Sequence, residues 1–250
     1  MNPYTDCDGN PIARIDPSGL CWVNSQWRPY HTIQSGLVCA HCAQSEPKFT
    51  YNSKLTYQPN LWNNKTFQEY TNCYSYAFNM LFNPLTGNLF PEGGMQPGML
   101  SGEINYDNPS KKDIENYYFS YSGTEEGNRY LVDLIKGDMA TVGISFIPYV
   151  EGMTGGYVVA LVVKPGGDYH WYRQDSDGTW SHKQGQLPAT QSVGYYRDKN
   201  GNLRFIDDLI TDPKKAAEKI GYDVFVGYFY VIQRIYNRYL DPSKPVEWQI

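Results

Sequence analysis

The feature that most constrains this chain is a series of strand-forming segments in its second half. Residues 139–148 and 157–164 are rich in β-branched and aromatic side chains, which suit an extended, half-buried backbone. Pro165-Gly166-Gly167 then turns the chain. Residues 168–185, DYHWYRQDSDGTWSHKQG, read as two strands joined at Ser176-Asp177-Gly178. A three-residue loop ending in glycine suits a type I turn followed by a left-handed residue. That turn implies a register in which Asp175 faces Thr179, His182 faces Tyr172 and His170 faces Gln184. A further strand is expected over 224–235, after a short charged helix over 213–220.

The first half has a different period. Residues 67–82 predict a helix capped by Thr71, with Cys73, Tyr76, Ala77, Met80 and Leu81 on one face and Asn83-Pro84 as its stop. A second helix is expected over 124–136, with Tyr130, Leu131, Leu134 and Ile135 as its apolar stripe and Gly137 ending it. Residues 21–66 read as loop, and 84–110 as a Gly/Pro-rich connection. The expected fold class is therefore α+β, with N-terminal helices packed on an antiparallel sheet.

Composition narrows the function. An apolar share of 41% in 250 residues supports a real core. The 23 tyrosines suit strands, half-wet clefts and interfaces. A net charge of −5 argues against a nucleic-acid partner. No stretch approaches the roughly 20 apolar residues of a membrane span. The polar start, NPYTDCDGNP after Met1, does not read as a signal peptide. Five cysteines cannot all pair with one another.

One constellation could carry chemistry. Cys73 is expected near a helix start, where unpaired N–H groups and the helix dipole favour a thiolate nucleophile. The same position on an apolar face also suits a plain core cysteine. His170, on a strand about a hundred residues later, is a candidate general base. His182 lies diagonal to it on the same face and could hold its tautomer, with Gln184 as the alternative third residue. Cys39 and Cys42, with His41 between them, have metal-like spacing and could bind zinc together with Cys21 or His31. A set of free or paired thiols explains them as well, and no cofactor is required.

Two resemblances add to this. The string NPYTDCDGNPIARIDPSGL resembles the end of an Rhs/YD-repeat core, whose last repeat closes on a DPxGL box; Asp16, Pro17, Gly19 and Leu20 fall in that box. The resemblance implies release after Leu20 of a delivered C-terminal toxin, the Rhs shell of a parent chain, its secretion apparatus and a cognate immunity protein. The strings NCYSYAFN and DYHWYRQDSDGTWSHKQG, with GYDVFVGYFYVI as a final strand, resemble bacterial papain-like cysteine peptidases and, in outline, CHAP and NlpC-type amidohydrolases. Carried over, Cys73 is the nucleophile, His170 the base and His182 the orienting residue, acting on a protein or peptide substrate. The implied organisation is an Rhs tail over 1–20, a linker over 21–66 and a papain-like toxin domain over 67–250. A peptidase, amidase or glutamine deamidase is expected. The rival readings are a nuclease or nucleotide-modifying toxin, and a non-enzymatic binding module in which Cys73 is core.

Overall fold

The computed structural model describes residues 55–233, together with the backbone of residues 20–23, 26–29, 50–51 and 234–235. The chain divides into two compact units, Met1–Thr50 with Ile235–Ile250, and Tyr51–Arg234. In the first unit, β1 (Leu20–Val23) and β2 (Gln26–Pro29) form an antiparallel hairpin.

The second unit begins earlier than the linker reading placed it. Leu55 and Trp62 are buried. Short helices α1 (Pro59–Trp62) and α2 (Lys65–Gln68) lead into α3 (Cys73–Ala77). The single helix expected over 67–82 is thus broken. Asn72, not Thr71, caps α3: its side chain accepts from the N–H groups of Tyr74 and Ser75, and Ser75 reciprocates as a capping box. The Thr71 hydroxyl instead donates to the Phe67 carbonyl, at 2.7 Å. Asn79, at φ 54°, ends the turn in the left-handed region that asparagine tolerates.

Helix α4 (Lys111–Ser120), which the apolar pattern did not announce, precedes α5 (Glu125–Thr141). The latter runs through Gly137, the expected stop. That glycine lies inside the helix, where a Cβ would already touch Ser101 at 3.4 Å, so it serves close packing. Leu131, Leu134, Ile135 and Met139 form the buried stripe. Asp138 on the same face accepts from the Tyr74 hydroxyl (2.9 Å) and from the N–H groups of Gly98 (2.7 Å) and Ser101 (2.8 Å). It thereby ties α3 and the Gly/Pro-rich loop to α5. Burial holds its carboxyl above the usual range, and those donors oppose the shift.

Strands β3 (Ile144–Pro148), β4 (Tyr157–Lys164), β5 (Asp168–Gln174), β6 (Trp180–Lys183), β7 (Ala189–Thr190), β8 (Ser192–Arg197), β9 (Leu203–Leu209) and β10 (Val224–Ile235) follow, with α6 (Pro213–Lys219) before the last. The main sheet includes the order β10–β4–β5–β6–β7, with β3 also on β10, and these pairings are antiparallel. β8 and β9 form a separate two-stranded sheet. The fold is mixed α and β with a mainly antiparallel sheet. β4 is buried along almost its whole length, because both sheet faces are covered. On one face Tyr169, Trp171, Val159 and Leu161 pack against α3 and α5 residues. On the other, Tyr172, Ala160 and Val162 pack with Val193, Ala216 and Ala217.

Candidate functional site

The site grows from the place where β5 outruns β6. Pairing between them begins at Tyr172↔His182, so β5 from 168 to 171 has β4 on one side and no ladder partner in β6 on the other. The start of α3 fills that gap. Asn72 fixes its position, donating to the carbonyls of Gly93 (3.0 Å) and Met95 (2.7 Å). Gly94 must be glycine: at φ 82° a Cβ would lie 2.8 Å from the Asn72 side chain and backbone. Cys73, the first helical residue, then points its thiol at the Tyr169 carbonyl (Sγ···O 3.8 Å), with the backbone N–H groups of Trp171 and Tyr74 facing the sulfur.

Position alone favours a thiolate here, but burial reverses the outcome. Cys73 is a free thiol, 6% exposed, within the aromatic core. Desolvation pushes it far above the ordinary thiol range, and the charge of Asp168 adds to the shift. The two N–H groups and the Lys183 cation do not offset it.

The two histidines meet as the hairpin register requires. His170 Nε2 lies 2.6 Å from His182 Nδ1, and His182 Nε2 lies 2.9 Å from the Ser192 carbonyl. A carbonyl only accepts, so His182 carries its proton on Nε2. His182 Nδ1 is then the acceptor, His170 donates from Nε2, and His170 Nδ1 is left unprotonated. Both rings are neutral. Burial lowers His170 well below its ordinary value, and the neighbouring His182 adds to that; burial brings His182 down to about 4, against the Ser192 carbonyl. Tyrosines enclose the pair. Tyr172 stacks on His182, with ring centres 4.9 Å apart, and meets His170 edge-on. The Tyr222 ring lies 5.4 Å from His170, its hydroxyl donating to Asp168 at 2.8 Å.

Gln184, the alternative third residue, is spent elsewhere. Its amide accepts from the Tyr195 N–H (2.6 Å) and donates to the Tyr195 carbonyl (2.8 Å), lying past the end of β6 rather than opposite His170. Three polar residues went unnoticed in the sequence. Lys183, fully buried, donates to the carbonyls of Gln68 (2.8 Å), Thr71 (2.6 Å) and Gly185 (2.7 Å); burial lowers it to about 8. Arg173 pairs with Asp175 (2.9 Å), both buried, and sits 4.2 Å over the Tyr76 ring. Asn72 was the third, and its place beside Cys73 at a helix start was the available signal.

A cleft of about 640 Å³ opens beside this network, bordered by Asp168, Gln184, Tyr195, Tyr222 and Arg197. Neither Cys73, His170 nor His182 lines it. The arrangement is a protonated thiol and two neutral, mutually hydrogen-bonded imidazoles behind a screen of tyrosines. No metal-ligand cluster occurs among the described residues. The side chains of Cys21, His31, Cys39, His41 and Cys42 lie outside them, as do Asp16, Pro17, Gly19 and the side chain of Leu20.

No family model matches the sequence, and no solved structure matches it. The chain is 32% identical over 173 residues, 69% of its own length and 86% of the relative's, to insoluble matrix shell protein 1 of Ruditapes philippinarum. This similarity to a molluscan shell matrix protein overturns the Rhs reading of residues 1–20, with its release box at Asp16, Pro17, Gly19 and Leu20, and delivery through an Rhs apparatus. Asp-Pro-Ser-Gly is also what an ordinary β-turn selects, so a short box of that composition carries little family information. The same similarity overturns the resemblance to bacterial cysteine peptidases at Cys73, His170 and His182 and the toxin functions, cysteine hydrolase and nuclease alike.

Proposed function

The chain belongs to the family of insoluble matrix shell protein 1, and on that premise we propose that it is a secreted, non-enzymatic structural domain of an insoluble extracellular matrix. Its helix-on-sheet layout is read as a papain-like scaffold put to structural use. One observation carries this: Cys73, His170 and His182 are 6%, 1% and 0% exposed and none of them lines the adjoining cleft. Buried polar groups that are fully hydrogen-bonded give a core a unique arrangement. His182, with both ring nitrogens bonded, and Lys183, on its three carbonyls, fit that role.

Two measurements test the reading. Iodoacetamide should label Cys73 in the native chain far more slowly than in denaturant, and a native rate matching that of an exposed thiol would overturn it. In the producing tissue, the chain should stay in the extracellular fraction that resists salt and detergent and dissolve only in denaturant. Recovery in the salt-soluble fraction would sink the matrix role.

A further inference from the structure

Strand β9 pairs with β8 along one edge, from Leu203↔Arg197 to Ile206↔Gly194. Its other edge has no partner among the described residues. Gln184 reveals which backbone groups lie there. Both the N–H and the carbonyl of Tyr195 are taken by the Gln184 side chain, so they point away from β9. In an antiparallel pair, facing residues alternate between exchanging two hydrogen bonds and exchanging none. Tyr195↔Phe205 is therefore a pair that exchanges none, and Phe205 turns its N–H and carbonyl to the open side; by alternation, so does Leu203. The two residues that turn their backbone groups outward carry apolar side chains open to solvent on one face: Leu203 is 49% exposed, and Phe205, at 44%, packs its ring 4.7 Å from that of Tyr195. A register shift between Ile206 and Leu209 places a bulge at Asp207-Asp208, which interrupts the edge beyond Ile206.

We propose that this edge pairs with the same edge of a second copy of the chain, antiparallel about a two-fold axis at Arg204. The inference rests on the matrix reading for its setting and names the partner, another copy of the chain. In this register each Leu203 faces the other copy's Phe205 and exchanges both backbone bonds with it, so that four unpaired donors and four acceptors' worth of edge are used symmetrically. The apolar side chains meet on one face. The alternative axis, at Phe205, would set each Leu203 against an Asp207 carboxylate. On the opposite face the two Arg204 side chains come together, but each arrives already paired with Asp198 at 3.0 Å, so two neutralised ion pairs meet rather than two bare cations. Four residues of edge are a small contact beside the roughly 1,200 Å² of a stable interface. The pairing therefore depends on concentration and suits a crowded matrix.

Sedimentation velocity of the full chain over a concentration series should show a monomer–dimer equilibrium. The double variant Leu203→Lys/Phe205→Lys should weaken it at least about tenfold, a loss of roughly 1.4 kcal/mol, with an unchanged circular dichroism spectrum because both side chains are exposed. Phe205→Pro, which removes an outward N–H and no β8 bond, should do the same. Facing residues that exchange no hydrogen bonds have Cα atoms about 4.5 Å apart, within disulfide reach. Mild oxidation of Arg204→Cys should therefore give a 204–204 cross-link by peptide mapping, and Asp177→Cys on the β5–β6 turn should give none. A concentration-independent monomer, a double variant that dimerises like the parent, or a missing 204–204 link would each overturn the proposal. A monomer still held in the insoluble tissue fraction removes the edge and leaves the matrix reading. A β9 dimer that salt extracts does the reverse.

Discussion

The interior around α3, β5 and β6 and the hairpin β8–β9 are built from the same kinds of side chain and use them in opposite ways. Inside, Lys183, Arg173, Asp175, His170 and His182 are sealed from water and bonded to fixed partners. On the hairpin and its neighbour α6, Arg204 pairs with Asp198 and Lys219 with Asp208 at 3.0 Å each, with most of these side chains half-exposed or more. Distance does not separate the two sets; solvent does. A buried polar group that loses its partner keeps its desolvation cost, whereas an exposed one recovers water. The interior network therefore contributes to specifying the fold, while the solvated ion pairs of the hairpin contribute little to it.

Removing Lys183 should break this contrast most severely. Lys183→Ala leaves the carbonyls of Gln68, Thr71 and Gly185 without their shared donor. A loss of about 3 to 5 kcal/mol in urea unfolding is expected. Acid should act next. His182 titrates at about 4 in the folded chain and near 6.5 when unfolded, so the unfolded state takes up the proton first. The stability its neutral ring contributes is fully present above about pH 6.5 and is lost as pH falls toward 4. That amounts to about 3 kcal/mol, with His170 steepening the loss. Melting temperature against pH should show this slope, and His182→Gln should flatten it.

Cys73→Ala sharpens the comparison from inside. It removes a small buried group with one weak hydrogen bond, so a cost of about 1 kcal/mol or slightly more is expected in urea unfolding and, on the proposed matrix role, unchanged extractability. The hairpin should respond least. Arg204→Ala should change monomer stability by less than about 0.5 kcal/mol in chemical denaturation, because its ion pair is wet.

The β5–β6 hairpin was legible because its determinants are adjacent in sequence. Ser176-Asp177-Gly178 sets the turn, Gly178 supplies the left-handed φ of 86°, and the register that brings His182 opposite Tyr172 follows. The strand at 224–235 and the helix after Asp212 were legible for the same reason. The β8–β9 hairpin was missed although Asn200-Gly201 is a turn signal, because the flanking residues do not alternate cleanly between apolar and polar. The placement of Cys73 at a helix start was readable; its state was not. That state depends on Tyr169 and Trp171, nearly a hundred residues away, and the cover over His170 comes from Tyr222, after another fifty.

By itself, then, the sequence determined certain local matters: the β5–β6 turn and its register, the strand over 224–235 and the helix after Asp212. Those depend on backbone preferences and near neighbours. Tertiary structure decided which polar groups lose their water. Whether Cys73 could ionise, whether Lys183 is surface or keystone, and whether the β9 edge stays open are all questions of desolvation. Desolvation depends on what distant segments pack against a group, and no local pattern of residues encodes that.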